Sequence, residues 1–146
     1  MGNTVVIVGE QGLLLRSDDG GASFTAMSSS YKGTWFGLVV LGEFDWLAYG
    51  LRGTAFRTTD RGATWQPVDT NVSVTLSSGL RLKDGRVLLV TQNGDVLVSD
   101  ATAANFERRG LPLGAPVADA TEAADGALVV ASLRGPLRTS LGPSVR

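Results

Sequence analysis

One spacing constrains this chain more than any other feature. Gly12, Gly53, Gly94 and Gly135 follow one another at intervals of 41 residues, and so do the aromatics Phe24, Trp65 and Phe106. A fixed period of this size marks a repeat architecture, in which each unit buries its apolar face against its neighbours.

Each periodic glycine separates two apolar runs: 5–8 from 13–15, 46–49 from 54–56, 87–90 from 95–98, and 128–131 from 136–138. The loops between them predict short hairpin turns, with glycine free to take positive φ. A second turn recurs at Asp84-Gly85 and Asp125-Gly126, and Glu43-Phe44-Asp45 stands in its place one repeat earlier. It is preceded by a further run at 36–41, 76–82 and 117–122. A last short run falls at 23–26, 64–68 and 106–108. In repeat order these four runs are strands A, B, C and D, rich in Val, Leu, Thr and aromatics and punctuated by Gly, Asp, Asn and Ser. The Ala-rich patch 101–104 falls inside a turn of the repeat, and no helix is predicted.

Four antiparallel strands every 41 residues predict an all-β fold, a β-propeller. The strand content reads B-C-D, A-B-C-D, A-B-C-D, A-B-C, which makes two full and two partial blades over residues 1–140, then a tail at 141–146 expected to fray. Such a run could close on itself with strands missing, pair with a second chain in a larger ring, or form the closing section of a seven- or eight-bladed ring. Open ends expose a blade face and an unpaired edge, so self-association through them is expected. The opening residues 1–8 read as the middle of a strand without the charged region or cleavage site of a signal peptide, so the natural reading frame is expected to extend further.

Composition removes several chemistries. The chain has no cysteine and no histidine, which excludes disulfides, thiolate sites and any Ser-His-Asp or Cys-His mechanism. Thirteen basic residues face 14 acidic ones, so nothing points to nucleic acid or to a membrane surface. No apolar run is long enough to span a bilayer.

The turn between strands C and D repeats most closely: 16–24, 57–65 and, in altered form, 98–106. Asp19 and Asp60 are placed to accept hydrogen bonds from backbone N–H groups two residues on. Ser17 and Thr58 are placed to tie the preceding backbone, and Gly21 and Gly62 to supply the left-handed conformation. Phe24, Trp65 and Phe106 should then pack toward the neighbouring blade. In the third copy Ala101 stands where Asp is expected and Ala103 where Gly is expected. Arg16 and Arg57 are expected to pair with the turn carboxylate or lie over the following aromatic. A calcium loop would need several oxygen ligands that this turn lacks, so no metal or cofactor is expected.

Ser-x-Asp-x-Gly-x-Ser-Phe at 17–24 and Thr-x-Asp-x-Gly-x-Thr-Trp at 58–65 resemble the Asp box of bacterial neuraminidase (BNR) repeats. With the Gly9-x-x-Gly12 turn, an apolar strand and Arg-Ser/Thr before the box, the pattern is similar to photosystem II stability and assembly factor-like proteins. This resemblance implies a non-catalytic scaffold for protein–protein interaction, an accessory factor with a protein partner, a membrane protein complex being one such partner, in an extracytoplasmic compartment. Its arginine-rich patch corresponds here to Arg52 and Arg134. The Asp box also occurs in sialidase-type glycoside hydrolases, whose site has an arginine triad, a Tyr nucleophile with a Glu, and an Asp acid/base. Against that set the chain offers Arg52, Arg134, Tyr31 and Glu10. A carbohydrate-binding propeller would stack sugars on Tyr31 and Trp35, although Trp35 directly precedes strand A and suits the core.

In this topology the B–C turns and the D-to-A connections share one end of the blades, and the A–B turns and Asp boxes share the other. Loops on a rigid scaffold are where binding residues sit. The candidate partner-binding residues are therefore Glu10, Gln11, Arg52, Gln92, Asn93 and Arg134 in the B–C turns, and Tyr31 and Lys32 in the connection 28–35.

Overall fold

The computed structural model describes residues 2–112 and 114–141. Within them the chain forms four antiparallel sheets, each a blade. The first contains β1 (Val5–Val8), β2 (Leu14–Ser17) and β3 (Thr25–Ala26). The second contains β4 (Trp35–Val40), β5 (Trp46–Gly50), β6 (Ala55–Thr58) and β7 (Gln66–Val68). The third contains β8 (Leu76–Arg81), β9 (Val87–Thr91), β10 (Val96–Ser99) and β11 (Phe106–Arg109). The fourth contains β12 (Val117–Glu122), β13 (Leu128–Ser132) and β14 (Gly135–Thr139). Strands pair in sequence order within each sheet, so the expected content, two full and two partial blades, is what the chain builds. The A strands β4, β8 and β12 lie side by side along one line.

Each A strand carries an irregularity at the same repeat position, between Trp35 and Gly37, Leu76 and Ser78, and Val117 and Asp119. A bulge inserts one unpaired residue and turns the local side chains. It sets Ser78 Oγ to donate to the Asp119 carboxylate of the next blade. Behind Ser78, the Tyr49 hydroxyl has its pKa raised by burial and then by the nearby Asp119 charge.

The core lies between blades. Val39, Leu47, Tyr49 and Ala55 of the second blade meet Leu76, Val87, Leu89, Leu97 and Phe106 of the third. Leu88, Val90, Val96 and Val98 of the third meet Val117, Leu128 and Val130 of the fourth. β5, β9 and β10 are buried at every position because blades cover both of their faces. Leu141, the first residue of the tail 141–146 expected to fray, packs against the core of the last interface, and 142–146 lie outside the described residues.

The fourth blade breaks the repeat by one residue. In the first three, β1, β5 and β9 turn into the next strand with the pairs Val8↔Leu14, Tyr49↔Ala55 and Val90↔Val96. In the fourth, Ser132 pairs with Gly135 across the two residues Leu133 and Arg134. A slip of one residue exchanges the two faces of a strand. Leu137 therefore pairs with Val130 and joins the core, a place that Leu97 holds in β10.

Candidate functional site

The Asp boxes close with a different bonding pattern from the expected one. The Asp60 carboxylate accepts bonds from Thr64, four residues on: 2.8 Å from the backbone N–H and 2.6 Å from the hydroxyl. The hydroxyl of Thr58 donates to Asp60 at 2.7 Å and accepts the Gly62 N–H at 2.8 Å, so it ties the backbone that follows it rather than the backbone before it. Ser17, Asp19, Gly21 and Ser23 repeat the same set. The Thr64 hydroxyl, then its N–H, then the Thr58 hydroxyl hold the Asp60 pKa down to about 2. The Ser23 and Ser17 hydroxyls likewise hold Asp19 well below the usual carboxylate range. Gly21 and Gly62 take the expected left-handed conformation, φ +96 and +83.

In the third copy Asp100 takes over from one residue earlier. It accepts from the Asn105 side-chain amide at 2.6 Å, from the Thr102 hydroxyl at 2.7 Å and from the Ala104 N–H at 3.2 Å. Its pKa is depressed by Asn105 first and Thr102 second. Ala103 occupies the glycine position at φ +54. The altered box is therefore rebuilt, with Asp100 and Asn105 as the residues that the spacing alone did not single out.

Arg16 and Arg57 fasten consecutive blades, and Arg16 also pairs with Asp18 of its own box at 3.1 Å. Arg16 donates to the Arg61 carbonyl at 2.7 Å, and Arg57 to the Thr102 carbonyl, each inside the box of the next blade. Arg57 also grips Asp45 with two bonds of 2.7 and 2.6 Å. The arginine that lies over an aromatic is Arg61, 5.6 Å from the centre of the Phe44 ring. Of the three box aromatics, Trp65 and Phe106 are buried between blades. Phe24 is 40% exposed, since the face it would pack against is uncovered in this chain.

The opposite end of the blades is built from alternating turns and connections. The N–H groups of Leu51, Gln92 and Leu133 donate to the carbonyls of Thr34, Thr75 and Pro116, each just ahead of an A strand. Gly12 N–H donates to the Gly33 carbonyl at 2.6 Å. A Cβ on Gly53, at φ +71, would lie 2.0 Å from the Val72 carbonyl oxygen, and one on Gly94 would lie 2.4 Å from that of Ala115. Glycine here allows turn and connection to touch. The result is a backbone-to-backbone rim on which side chains are mounted.

Glu10, Gln11, Lys32, Arg52, Gln92, Asn93 and Arg134 are exposed on this rim. The rim brings Glu10, Gln11, Lys32 and Arg52 to neighbouring loops, because residues 33–35 bond to the turns on both sides of them. Arg134 stands two blades further on, its N–H donating to Ser132 Oγ at 3.1 Å. Asn93 lines a groove of about 250 Å³ with Asn71, Ser73, Asp95 and Arg108. Tyr31 is half-buried beside this rim. Its ring lies 4.4 Å from Trp35 and 6.1 Å from Phe56, and its hydroxyl donates to the Thr34 carbonyl at 3.4 Å. Trp35 is 2% exposed and belongs to the core. Leu133, at 84% exposure, is a rim residue that the sequence reading placed inside an ordinary turn. Its signal is the shortened fourth turn, visible only in the pairing.

Among the described residues no group of three or more His, Cys, Asp or Glu is placed to hold a metal ion, and no helix is long and apolar enough to cross a membrane.

No family model and no curated protein matches the sequence. Solved structures match the fold. YCF48 bound to D1 peptide superposes with a TM-score of 0.75 at 19% identity, over 99% of this chain and 50% of that one. An ancestral GH74 enzyme superposes at 0.79 and 11% identity, over 95% and 21%. The NanB sialidase of Streptococcus pneumoniae superposes at 0.57 and 14% identity, over 95% and 28%. The chain thus spans half the length of the YCF48 chain it matches. The fold is that of part of an Asp-box β-propeller.

Proposed function

We propose that the chain is a non-catalytic propeller scaffold that holds an extended segment of a protein partner across the rim of B–C turns, as an assembly or accessory factor does. One observation carries this reading. Glu10, Gln11, Arg52, Gln92 and Asn93 are exposed and, among the described residues, their side chains make no hydrogen bond, while the repeated polar residues of the opposite end are bonded into the fold. A rigid rim that presents uncommitted polar side chains is suited to recognition. Arg52 and Arg134 stand on the second and fourth blades, so a partner touching both crosses the third. The YCF48 structure supports the reading, since that propeller is seen with a peptide bound. The resemblance to photosystem II assembly factors extends it to a partner within a membrane protein complex.

The position of Tyr31 weighs against the glycosidase reading. A nucleophile must reach its substrate, and this half-buried ring packs at a tilt against Trp35 and Phe56.

The test is a pull-down from the source cells with the chain and with the double variant Arg52→Glu plus Arg134→Glu. The double reversal should abolish capture of the specific partner, while Arg86→Glu at the opposite end should leave it intact. Capture that survives the double reversal overturns the rim assignment. Turnover of a fluorogenic sialoside would overturn the non-catalytic reading.

A further inference from the structure

Asparagine stands at positions 3, 71, 93 and 105, and Asn93 alone is followed by glycine. Glycine has no Cβ, so no side chain of its own screens the Gly94 nitrogen. Thr4 and Val72, which follow Asn3 and Asn71, are branched at Cβ and crowd the equivalent nitrogen. The Asn105 amide is already bound, donating to the Asp100 carboxylate at 2.6 Å. Asn93 is exposed, and its side chain makes no hydrogen bond among the described residues. In the other three B–C turns the residue before the glycine is Gln11, Arg52 or Arg134. None of these places a carbonyl carbon where the next nitrogen can close a succinimide ring.

Three aspartates also precede glycine: Asp19, Asp84 and Asp125. Their carboxylates are poor electrophiles because they are charged and bonded. Asp19 accepts the Ser23 N–H at 2.9 Å, Asp84 the Arg86 N–H at 3.0 Å and Asp125 the Ala127 N–H at 3.2 Å. The Ser23 hydroxyl, the Arg86 guanidinium and the Ala127 N–H, in that order, hold the three pKa values below the usual carboxylate range. The Asn93 amide is neutral, and its carbon is open to attack.

We propose that Asn93 is a site of spontaneous modification that converts a neutral amide of the rim into a carboxylate. The Gly94 nitrogen attacks Cγ of Asn93. An N–Cγ bond forms, the Cγ–Nδ2 bond breaks, and Nδ2 leaves as ammonia with the proton that Gly94 gives up. Water opens the resulting succinimide at either carbonyl and leaves aspartate or isoaspartate, with no oxidation or reduction. The fold sets the pace. Gly94 N–H is held on the Thr91 carbonyl at 3.0 Å, so the turn must open before the nitrogen can attack. The new carboxylate lies in the groove that Asn93 shares with Asp95 and Arg108, which already pair with each other. The rim thereby becomes more negative as the protein ages. The reaction needs no partner, so its outcome is independent of the rim's role in recognition.

The folded chain is held in mildly alkaline buffer at physiological temperature and mapped by peptide mass spectrometry, beside a free peptide copying residues 90–96. Asn93 should gain about 1 Da, partly as isoaspartate detected by an isoaspartyl methyltransferase. The gain should be about tenfold or more faster than at Asn71 or Asn105, where no glycine follows. Asn93→Gln should abolish the acidic species seen on anion exchange, and the mass map decides the matter without that variant. The proposal is overturned if Asn93 in the folded chain gains no mass over about ten times the period in which the peptide is converted. It is also overturned if Asn71 and Asn105 are converted as fast, which would assign the reaction to unfolded chains.

Discussion

At the Asp-box end, Thr58 and Asp60 direct their polar atoms at Gly62 and Thr64. At the rim, Arg52 and Gln92 direct theirs at solvent, and it is the backbone of the same turns that bonds inward. Both regions recur every 41 residues. Recurrence therefore says nothing about which end performs a function. What separates them is the target of the side-chain bonds: one end uses its side chains to make a turn, the other uses its backbone and leaves side chains such as Arg52 and Gln92 turned to solvent.

Four measurements would sharpen or break this contrast. The largest effect is expected from the rim backbone. Gly53→Ala forces a side chain into the left-handed region and against the Val72 carbonyl, and should cost about 3 kcal/mol in urea unfolding. Gly135→Ala shares the positive φ but meets open space, and should cost about 1 kcal/mol. Equal losses would mean that the turn-to-connection contact does not matter.

Next comes the box side chain. Thr58 is 1% exposed, and Thr58→Val leaves the buried Gly62 N–H without its acceptor. The expected loss is about 2 kcal/mol. A neutral result would remove the box from the structural side of the comparison.

Acid titration tests the same turn by charge. The Asp60 pKa falls from 3.8 to about 2 on folding, so its contribution is complete above the unfolded value and disappears as pH drops through that window. The stability gap between the wild type and Asp60→Asn should hold near neutral pH and close between about pH 4 and 2. A gap independent of pH would mean that the carboxylate charge is not what the turn uses.

The smallest effect belongs to the rim side chains. Arg52→Ala should change stability by less than about 0.5 kcal/mol, as expected for an exposed residue outside any network, while lowering partner capture. A loss above 1 kcal/mol, on the order of a cap or a hydrogen bond, would make Arg52 a structural residue after all.

Much of the fold was legible in the sequence because the turns are local. Gly12, Gly53 and Gly94 take positive φ, and the boxes at Asp19 and Asp60 close as chemistry within a few residues dictates. The rim was legible as a place, since the strand order alone puts the B–C turns together. Its membership was less so. Tyr31 has a rim sequence position but an aromatic neighbour in Trp35 that takes it inward, and Leu133 is exposed by a shortened turn that no spacing shows.

By itself the sequence determined the period, the strand order, the two incomplete blades and the places of the Asp-box turns. Each of these rests on glycine and side-chain requirements acting within one repeat. Tertiary structure decided the rest. It set the exposure of Phe24 against the burial of Trp65, the bonds of Arg16 and Arg57 to the next blade, and the register of β14. Equivalent residues in a repeat share a local conformation, but their surroundings are supplied by whichever blade stands next to them.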